Sequence, residues 1–482
     1  MELVYLWVEE YKNIKEQGFN FSPRFECHFD KDTNELRIDE NKDFVNIFPE
    51  NINITAIVGE NGSGKSSLIN SLITYFNEDK YFFVYKMKNE KKFYYYNPCN
   101  IEIKFIPKGL EVKKAEPTQM KTFFEFKSIL FNDNLFVDNI YHGVQDMTQR
   151  SFIFELIKND SFNDIETFVN KINIQLIKKI LDLIKRDVKA IPIDYKSLYL
   201  EIKFHHSIDK EDIYKDLLKY KDDEIYTIPF EKFDIFEKIT NELYSFDISF
   251  KYNKNYKNIQ SLPSHGEISL LYLFSSIYSQ IIPILEDERK DHKEYYKNNV
   301  MLILDEPINS FHPQWQKEFV YNLTNFLKEN FLNIEFHIVL TTHSPFILSD
   351  IPKENVIFLR KGKNVNKEVN LNTFGANIHT LLSHGFFMED GLMGEFAKSK
   401  IEEIKNFYDE NKDLKKEDTE FKTKKIEFIQ KKDSFYHIKK IIGEPFLQTI
   451  IKNYLDELEI LFNGKNQFLD NEIKRLQSLK DD

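Results

Sequence analysis

The sequence predicts an α/β fold: a head built on a mixed, largely parallel sheet, an inserted α+β lobe, and a C-terminal helical region. Three observations predict it. Asn53 to Val58 is a short apolar run that stops at Gly59, and one-faced helical periodicity follows it. Val300 to Leu304 and His337 to Thr341 are continuous apolar runs, the pattern of parallel strands covered on both faces. From Leu392 onward the chain is rich in lysine and glutamate, with few turn residues beyond Gly443-Glu444-Pro445, and so favours helix.

Taken in order, Val4, Leu6 and Val8 alternate as in a half-buried strand. After Gly59, the residues Leu68, Ile69, Leu72, Ile73 and Phe76 share one helix face. The character then changes. Lys80 to Phe105 and Thr122 to Leu130 are aromatic and strand-like, whereas Ile165, Phe168, Val169, Ile172, Leu176, Ile180 and Ile184 mark one side of a long helix. Tyr199 to Phe204 and Phe246 to Tyr252 read as strands, the second leading back toward the main sheet. No heptad seam persists, which argues against a coiled-coil arm. Trp315 to Leu327 reads as a helix crossing between the two apolar strands. The expected organisation is a head in two parts, 1–80 and 261–385, a lobe over 81–260, and a helical region over 386–482.

Composition limits the function classes. The 482 residues leave room for two or three domains. With 41% hydrophobic and 30% charged residues the chain has the balance of a folded protein. Its 66 basic and 78 acidic residues give a net charge of -12, so the surface as a whole cannot act as a nucleic-acid magnet, although a local basic groove stays open. Two cysteines, Cys27 and Cys99, allow no disulfide framework and point to a reducing, cytoplasmic compartment. The sequence shows no membrane span, secretory signal or lipidation motif, so no membrane partner is expected.

Four motifs carry chemistry. Gly59-Glu60-Asn61-Gly62-Ser63-Gly64-Lys65-Ser66 fits the phosphate-binding pattern G-x-x-x-x-G-K-[ST] and lies between a predicted strand and a predicted helix. Its glycines let the backbone curl until its N–H groups face phosphates, and the helix N-terminus adds positive potential. Lys65 would reach the β and γ phosphates of a bound triphosphate, the Ser66 hydroxyl would ligate Mg²⁺, and Ser67 completes the nucleotide-binding set. Asp305 and Glu306 close the apolar strand 300–304: the first is placed to hold Mg²⁺, the second to orient or deprotonate an attacking water. His343 ends the next strand, where it could bond the γ-phosphate. Ser264-His265-Gly266-Glu267 opens a helix marked by Ile268, Leu271, Leu273 and Phe274, and reads either as an anion site or as a plain helix cap, the string alone favouring the cap.

In this order the glycine loop, Ser-x-Gly-Glu, Leu-Asp-Glu-Pro and Thr-His-Ser-Pro resemble the ABC-type ATPase superfamily. Within it the chain is similar to the soluble bacterial group that includes the overcoming-lysogenisation-defect family, RecF-like repair proteins and Septu-type phage-defence ATPases. The wording Thr341-Thr-His-Ser-Pro-Phe-Ile-Leu-Ser-Asp-Ile-Pro352, with Asn355 to Leu359 and Phe374 to Ile378, resembles the Septu-type group most, including its retron-associated members. The motif match covers roughly 1–80 and 260–385.

This resemblance implies ATP hydrolysis by a head-to-tail homodimer. In it the loop 59–66, Asp305, Glu306 and His343 of one subunit would face Ser264, Gly266 and Glu267 of the other, with Asn309 to Pro313 linking the two sites and higher oligomers left open. It also implies a nuclease effector as partner, in defence against phage; the alternative is a RecF-like ATPase that clamps DNA itself. His265 departs from the glycine of the transporter signature and Glu267 from its glutamine. Asn132 is the candidate for the residue that links Mg²⁺ to the inserted lobe. The span from Lys65 to Asp305 is too short for long arms. Past His343 the chain has no Asp-x-Asp pair and no Cys/His metal cluster, so no nuclease is expected within it.

Overall fold

The structure, a computed structural model, describes residues 2–73, 80–87, 90–98, 100–106, 111–115, 128–132, 145–146, 178–179, 182–183, 186–193, 198–204, 219, 221–222, 225–229, 246–253, 259–261, 265–286, 299–308, 311–388 and 391–481. The chain divides into two units, Met1–Glu389 and Asp390–Asp482.

The first unit is organised around a seven-stranded sheet in the order Gln145–Asp146, Ser128–Asn132, Asn299–Asp305, Glu335–Thr341, Ile52–Gly59, Val356–Arg360 and Lys363–Asn364. Every neighbouring pair is parallel except the last. The strand that ends at Gly59 is therefore separated from the strand that ends at Asp305 by one intervening strand, Glu335–Thr341. Their register sets Asn132, Asp305, Thr341 and Ile57 in a single row. That row lies at the carboxyl edge, where open α/β sheets bind ligands.

Apolar residues run without break along these strands because both faces are covered. Leu302, Leu304, Ile338, Leu340, Ile54 and Ala56 pack in one cluster with Phe274 and Ile277 of helix His265–Glu286 and with Phe319, Leu323 and Phe326 of helix Pro313–Asn330. The alternate residues Met301, Ile303, Val339 and Ile57 pack with Leu68, Ile69 and Leu72 of helix Lys65–Ile73. Helix Pro313–Asn330 is the crossover expected over Trp315 to Leu327. It starts with His312 Nδ1 accepting from the Gln314 N–H and proline in its first turn.

Strand Glu2–Tyr11 differs from its expected half-buried form, since it is buried on both faces. Leu3, Leu6 and Val8 join the cluster around helix Lys65–Ile73, whereas Val4, Tyr5 and Trp7 join an aromatic cluster with Phe25, Phe29 and Phe82. Pairing with Lys80–Lys86 slips between Leu3 and Tyr5, and this bulge interrupts the alternation.

The sequence after residue 80, expected to lie in an inserted lobe, contributes strands to the head. Lys80–Lys86 and Phe93–Tyr96 extend the antiparallel sheet of Glu2–Tyr11 and Ile14–Asn20, Val112–Lys114 adds to it in parallel, and Ser128–Asn132 lies parallel to Asn299–Asp305. Leu198–Phe204 and Phe246–Asn253 pair with each other in a separate five-stranded sheet. The long helix expected over 165–184 lies outside the described residues except at 178–179 and 182–183, which are helical.

The second unit consists of helices Glu395–Asn411, Phe421–Ile441, Pro445–Asn463 and Lys465–Asp481. Phe421, Phe428 and Phe435, each two turns from the last, meet Ile404, Phe407, Leu455 and Phe462 in its core. Lys424, Lys431 and Lys432 pair with Glu427, Glu403 and Glu459, so these lysines cover the helices as ion pairs. Among the described residues, no helix is long and apolar enough to cross a membrane.

Candidate active site

The glycine loop joins its strand to helix Lys65–Ile73 with little room to spare. A Cβ at Gly59 would lie 2.2 Å from the Leu359 carbonyl oxygen on the neighbouring strand, so only glycine lets the two backbones approach. Gly64 has φ +110, a conformation open to few other residues. Two other segments brace the loop. Asn13 Nδ2, from the turn between the first two strands, donates to the Gly62 carbonyl at 3.2 Å, and the Gly362 N–H donates to the Ser63 carbonyl at 2.8 Å. Glu60 lies 3.6 Å from Arg360, whose guanidinium stands 5.3 Å from the centre of the Phe387 ring.

Lys65 Nζ donates to the carbonyls of Gly59 and Glu60, each at 3.1 Å. Burial pushes its pKa down, and the carboxylates of Glu306 and Asp305 work against that shift. The Ser63 hydroxyl is buried and has no hydrogen-bond partner among the described residues. An orphaned donor and acceptor inside a loop of turned-in backbone suits a phosphate oxygen. Ser66, by contrast, is exposed at the start of its helix, and Ser67 is half-buried.

At the end of the acid-bearing strand, Asp305 is buried, which pushes its pKa up. The Thr341 hydrogen bond opposes this, Glu306 adds to it, and Lys65 and His343 oppose it. Thr341 Oγ1 donates to Asp305 Oδ1 at 2.6 Å and accepts from the Glu306 N–H at 2.9 Å. Glu306 has φ +51, an uncommon conformation for a residue with a side chain and of a kind that gathers at functional sites. Its Oε1 lies 3.2 Å from His343 Nε2. A carboxylate beside an imidazole, next to a second carboxylate and across from a lysine, can accept a proton from water and hold a cation.

The structure thus joins Asp305, Glu306 and His343 in one cluster, electrostatically linked to Lys65. Asn132 lies in register with Asp305. Gly266 and Glu267 form the first turn of helix His265–Glu286, which packs on the sheet face opposite to that covered by helix Lys65–Ile73. Ser264 and the side chain of His265 lie outside the described residues, as do Asn309 and Ser310. Sequence reasoning passed over Thr341, Asn13, Gly362 and Arg360. Thr341 stands within the quoted Thr-Thr-His-Ser-Pro string, but what it touches is a long-range fact.

Residues 112–349 match the family model described as "AAA domain, putative AbiEii toxin, Type IV TA system". Among solved structures the chain is similar to cbiO1 from Clostridium perfringens, described as part of the ABC transporter complex cbiONQ. That match is 15% identical, covers 81% of this chain and 94% of the other, and has a TM-score of 0.29. It is also similar to a nucleotide-free ATP-binding cassette from an ABC transporter, at 13% identity, with 76% and 90% covered and a TM-score of 0.26. No curated protein matches the sequence. The strand order, the braced glycine loop and the acid cluster at one sheet edge define an α/β head of the P-loop class.

Proposed function

We propose that the chain is an ABC-type ATPase that converts ATP and water to ADP and phosphate between two copies arranged head to tail. The observation that carries this reading is the Asp305–Thr341–Glu306–His343 cluster at the same sheet edge as the glycine loop. Residues 59–67 hold the phosphates through backbone N–H groups and the Lys65 ammonium. Ser66 and Asp305 would hold Mg²⁺, which neutralises charge on the β and γ phosphate oxygens when bound. Glu306 takes a proton from the water whose oxygen attacks the γ-phosphorus as the bond to the ADP oxygen breaks. His343 holds the Glu306 carboxylate and would hydrogen-bond the γ-phosphate and position the water. Gly266 and Glu267, with Ser264, close the site from the second copy.

In this reading the head combines 1–80 and 261–385 with the strands Lys80–Lys86, Phe93–Tyr96, Val112–Lys114 and Ser128–Asn132 added to its sheets, the rest of 81–260 forms a lobe, and the helices of 386–482 dock a partner. The output is control of an associated nuclease effector in anti-phage defence. It is supported by the resemblance over Thr341 to Pro352 and by the toxin system named in the matched family's description. The reaction is tested by phosphate release from Mg·ATP, with Glu306→Gln as control; equal rates for the two proteins contradict the assignment. The output is tested by affinity capture from cells carrying the native locus, where a co-purifying nuclease is expected. ATP-dependent, salt-sensitive DNA binding by the purified protein, with no nuclease captured, would replace effector control by a DNA clamp.

A further inference from the structure

Two hydrogen bonds from different loops meet on one side chain. Gln316, in helix Pro313–Asn330, donates from Nε2 to the Phe311 carbonyl at 2.8 Å and accepts at Oε1 from the Ser344 hydroxyl at 2.7 Å. Phe311 belongs to the stretch that follows Glu306, and Ser344 is the residue after His343. Both are buried. A backbone carbonyl can only accept, so the amide must turn its NH₂ toward Phe311 and its oxygen toward Ser344. That orientation obliges the Ser344 hydroxyl to donate to Gln316, which leaves its lone pairs for the Ile347 N–H that it caps at 3.5 Å. Every member of the chain thereby has a fixed role. The helix that carries Gln316 is itself anchored by Phe319, Val320 and Leu323 in the core.

We propose that Gln316 is a positioning residue for ATP hydrolysis: it ties the loop bearing Glu306 to the loop bearing His343 and so holds the pair at its 3.2 Å separation. Thr341 ties the same two segments at the sheet edge, through Asp305 and the Glu306 N–H. Gln316 provides a second tie, between Phe311 and Ser344. With one tie alone, the two loops could shift relative to each other about Thr341, and a displacement of about an ångström is enough to lower turnover a hundredfold. Gln316 touches neither substrate nor the reacting atoms, so its loss should lower kcat and leave nucleotide binding largely intact. The inference rests on the hydrolysis reading above.

The test is Gln316→Glu. This variant keeps an oxygen that accepts from Ser344 but sets a carboxylate against the Phe311 carbonyl. When protonated, the same side chain can donate to that carbonyl and restore the tie. The expected result at alkaline pH is a loss of kcat of about tenfold or more, with KM for ATP within about threefold of the parent. As pH is lowered, turnover of the variant relative to the parent at the same pH should recover, whereas Gln316→Ala should show no recovery. Wild-type turnover in Gln316→Glu across the pH range, or equal losses in both variants with no recovery, would overturn the proposal. Should Gln316→Glu fail to fold, the double-mutant cycle of Gln316→Ala with Ser344→Ala reads the same tie: non-additive losses of kcat support it and additive losses overturn it. A parent protein that releases no phosphate, or Glu306→Gln at full rate, would sink the hydrolysis reading itself. Both of those behaving as expected while Gln316→Glu stays unaffected would sink this inference alone.

Discussion

Thr341 Oγ1 donates to Asp305 Oδ1 at 2.6 Å, and the sheet register sets the two residues directly opposite each other. The same oxygen accepts from the Glu306 N–H, so one hydroxyl sets the spacing of both acidic residues. Thr341→Val keeps the shape and removes this link, leaving a buried carboxylate and an N–H without the partner each has now. Hydrogen bonds to charged groups contribute about 1.5–3 kcal/mol. Turnover should fall about ten- to a hundredfold in Thr341→Val and stay near the parent rate in Thr341→Ser, measured by phosphate release. Full activity in Thr341→Val would remove Thr341 from the site.

Glu306 lies beside His343 at the same edge as Lys65, and the proposed reaction assigns it the proton from water. Glu306→Gln should lower kcat by about 10²–10⁴-fold, the usual contribution of a general base. ATP affinity, read by equilibrium titration with a fluorescent analogue, should persist or rise.

The glycine loop offers a contrast between two of its own positions. A Cβ at Gly59 would meet the Leu359 carbonyl at 2.2 Å, whereas a Cβ at Gly62, with φ +74, would meet nothing within 4 Å. Gly62→Ala should therefore lose only the left-handed backbone penalty of about 1–2 kcal/mol. Gly59→Ala must push two strands apart, and should lose both thermal stability and nucleotide binding. Equal melting temperatures for the two variants would contradict the packing described.

Much of the head was legible because strands buried on both faces leave long apolar runs, and a strand, glycine loop and helix follow one another within a few residues. The bulge between Leu3 and Tyr5 was not legible, since alternation along a strand does not reveal where the partner strand slips. Nor was the entry of Ser128–Asn132 into the main sheet, because parallel pairing with a strand more than 160 residues later leaves no local trace. At the site, Asp305, Glu306 and His343 stood out as ionisable groups at strand ends. Thr341 and Gln316 did not, because a neutral side chain shows its role only once its partners are in place.

His337 supplies a test of the buried framework beneath the site. Its Nδ1 accepts from the Leu3 N–H at 3.0 Å, so its proton sits on Nε2, 3.1 Å from Thr55 Oγ1. Burial, aided by the positive N-terminus and Arg24, lowers its pKa from 6.5 to about 3. Below pH 6.5 the unfolded chain binds a proton that the folded chain refuses, so stability falls as pH drops from 6.5 toward about 3, and above 6.5 this group contributes no pH dependence. The slope is at most about 1.4 kcal/mol per pH unit. Urea unfolding at a series of pH values should show a shallower acid slope in His337→Gln than in the parent. Identical slopes would assign the acid sensitivity elsewhere.

If each active site is shared between two copies, as proposed, mixing two inactive variants shows it most directly. Lys65→Ala disables the phosphate loop, and Gly266→Asp sets a negative charge at the helix start that would face the partner's nucleotide. Each protein alone should hydrolyse almost no ATP. Mixed in equal amounts and allowed to exchange subunits, they should recover about a quarter of the parent rate, since half the dimers are mixed and each carries one intact site of two. A mixture as inactive as its components, or Gly266→Asp alone working at the parent rate, would contradict the shared site.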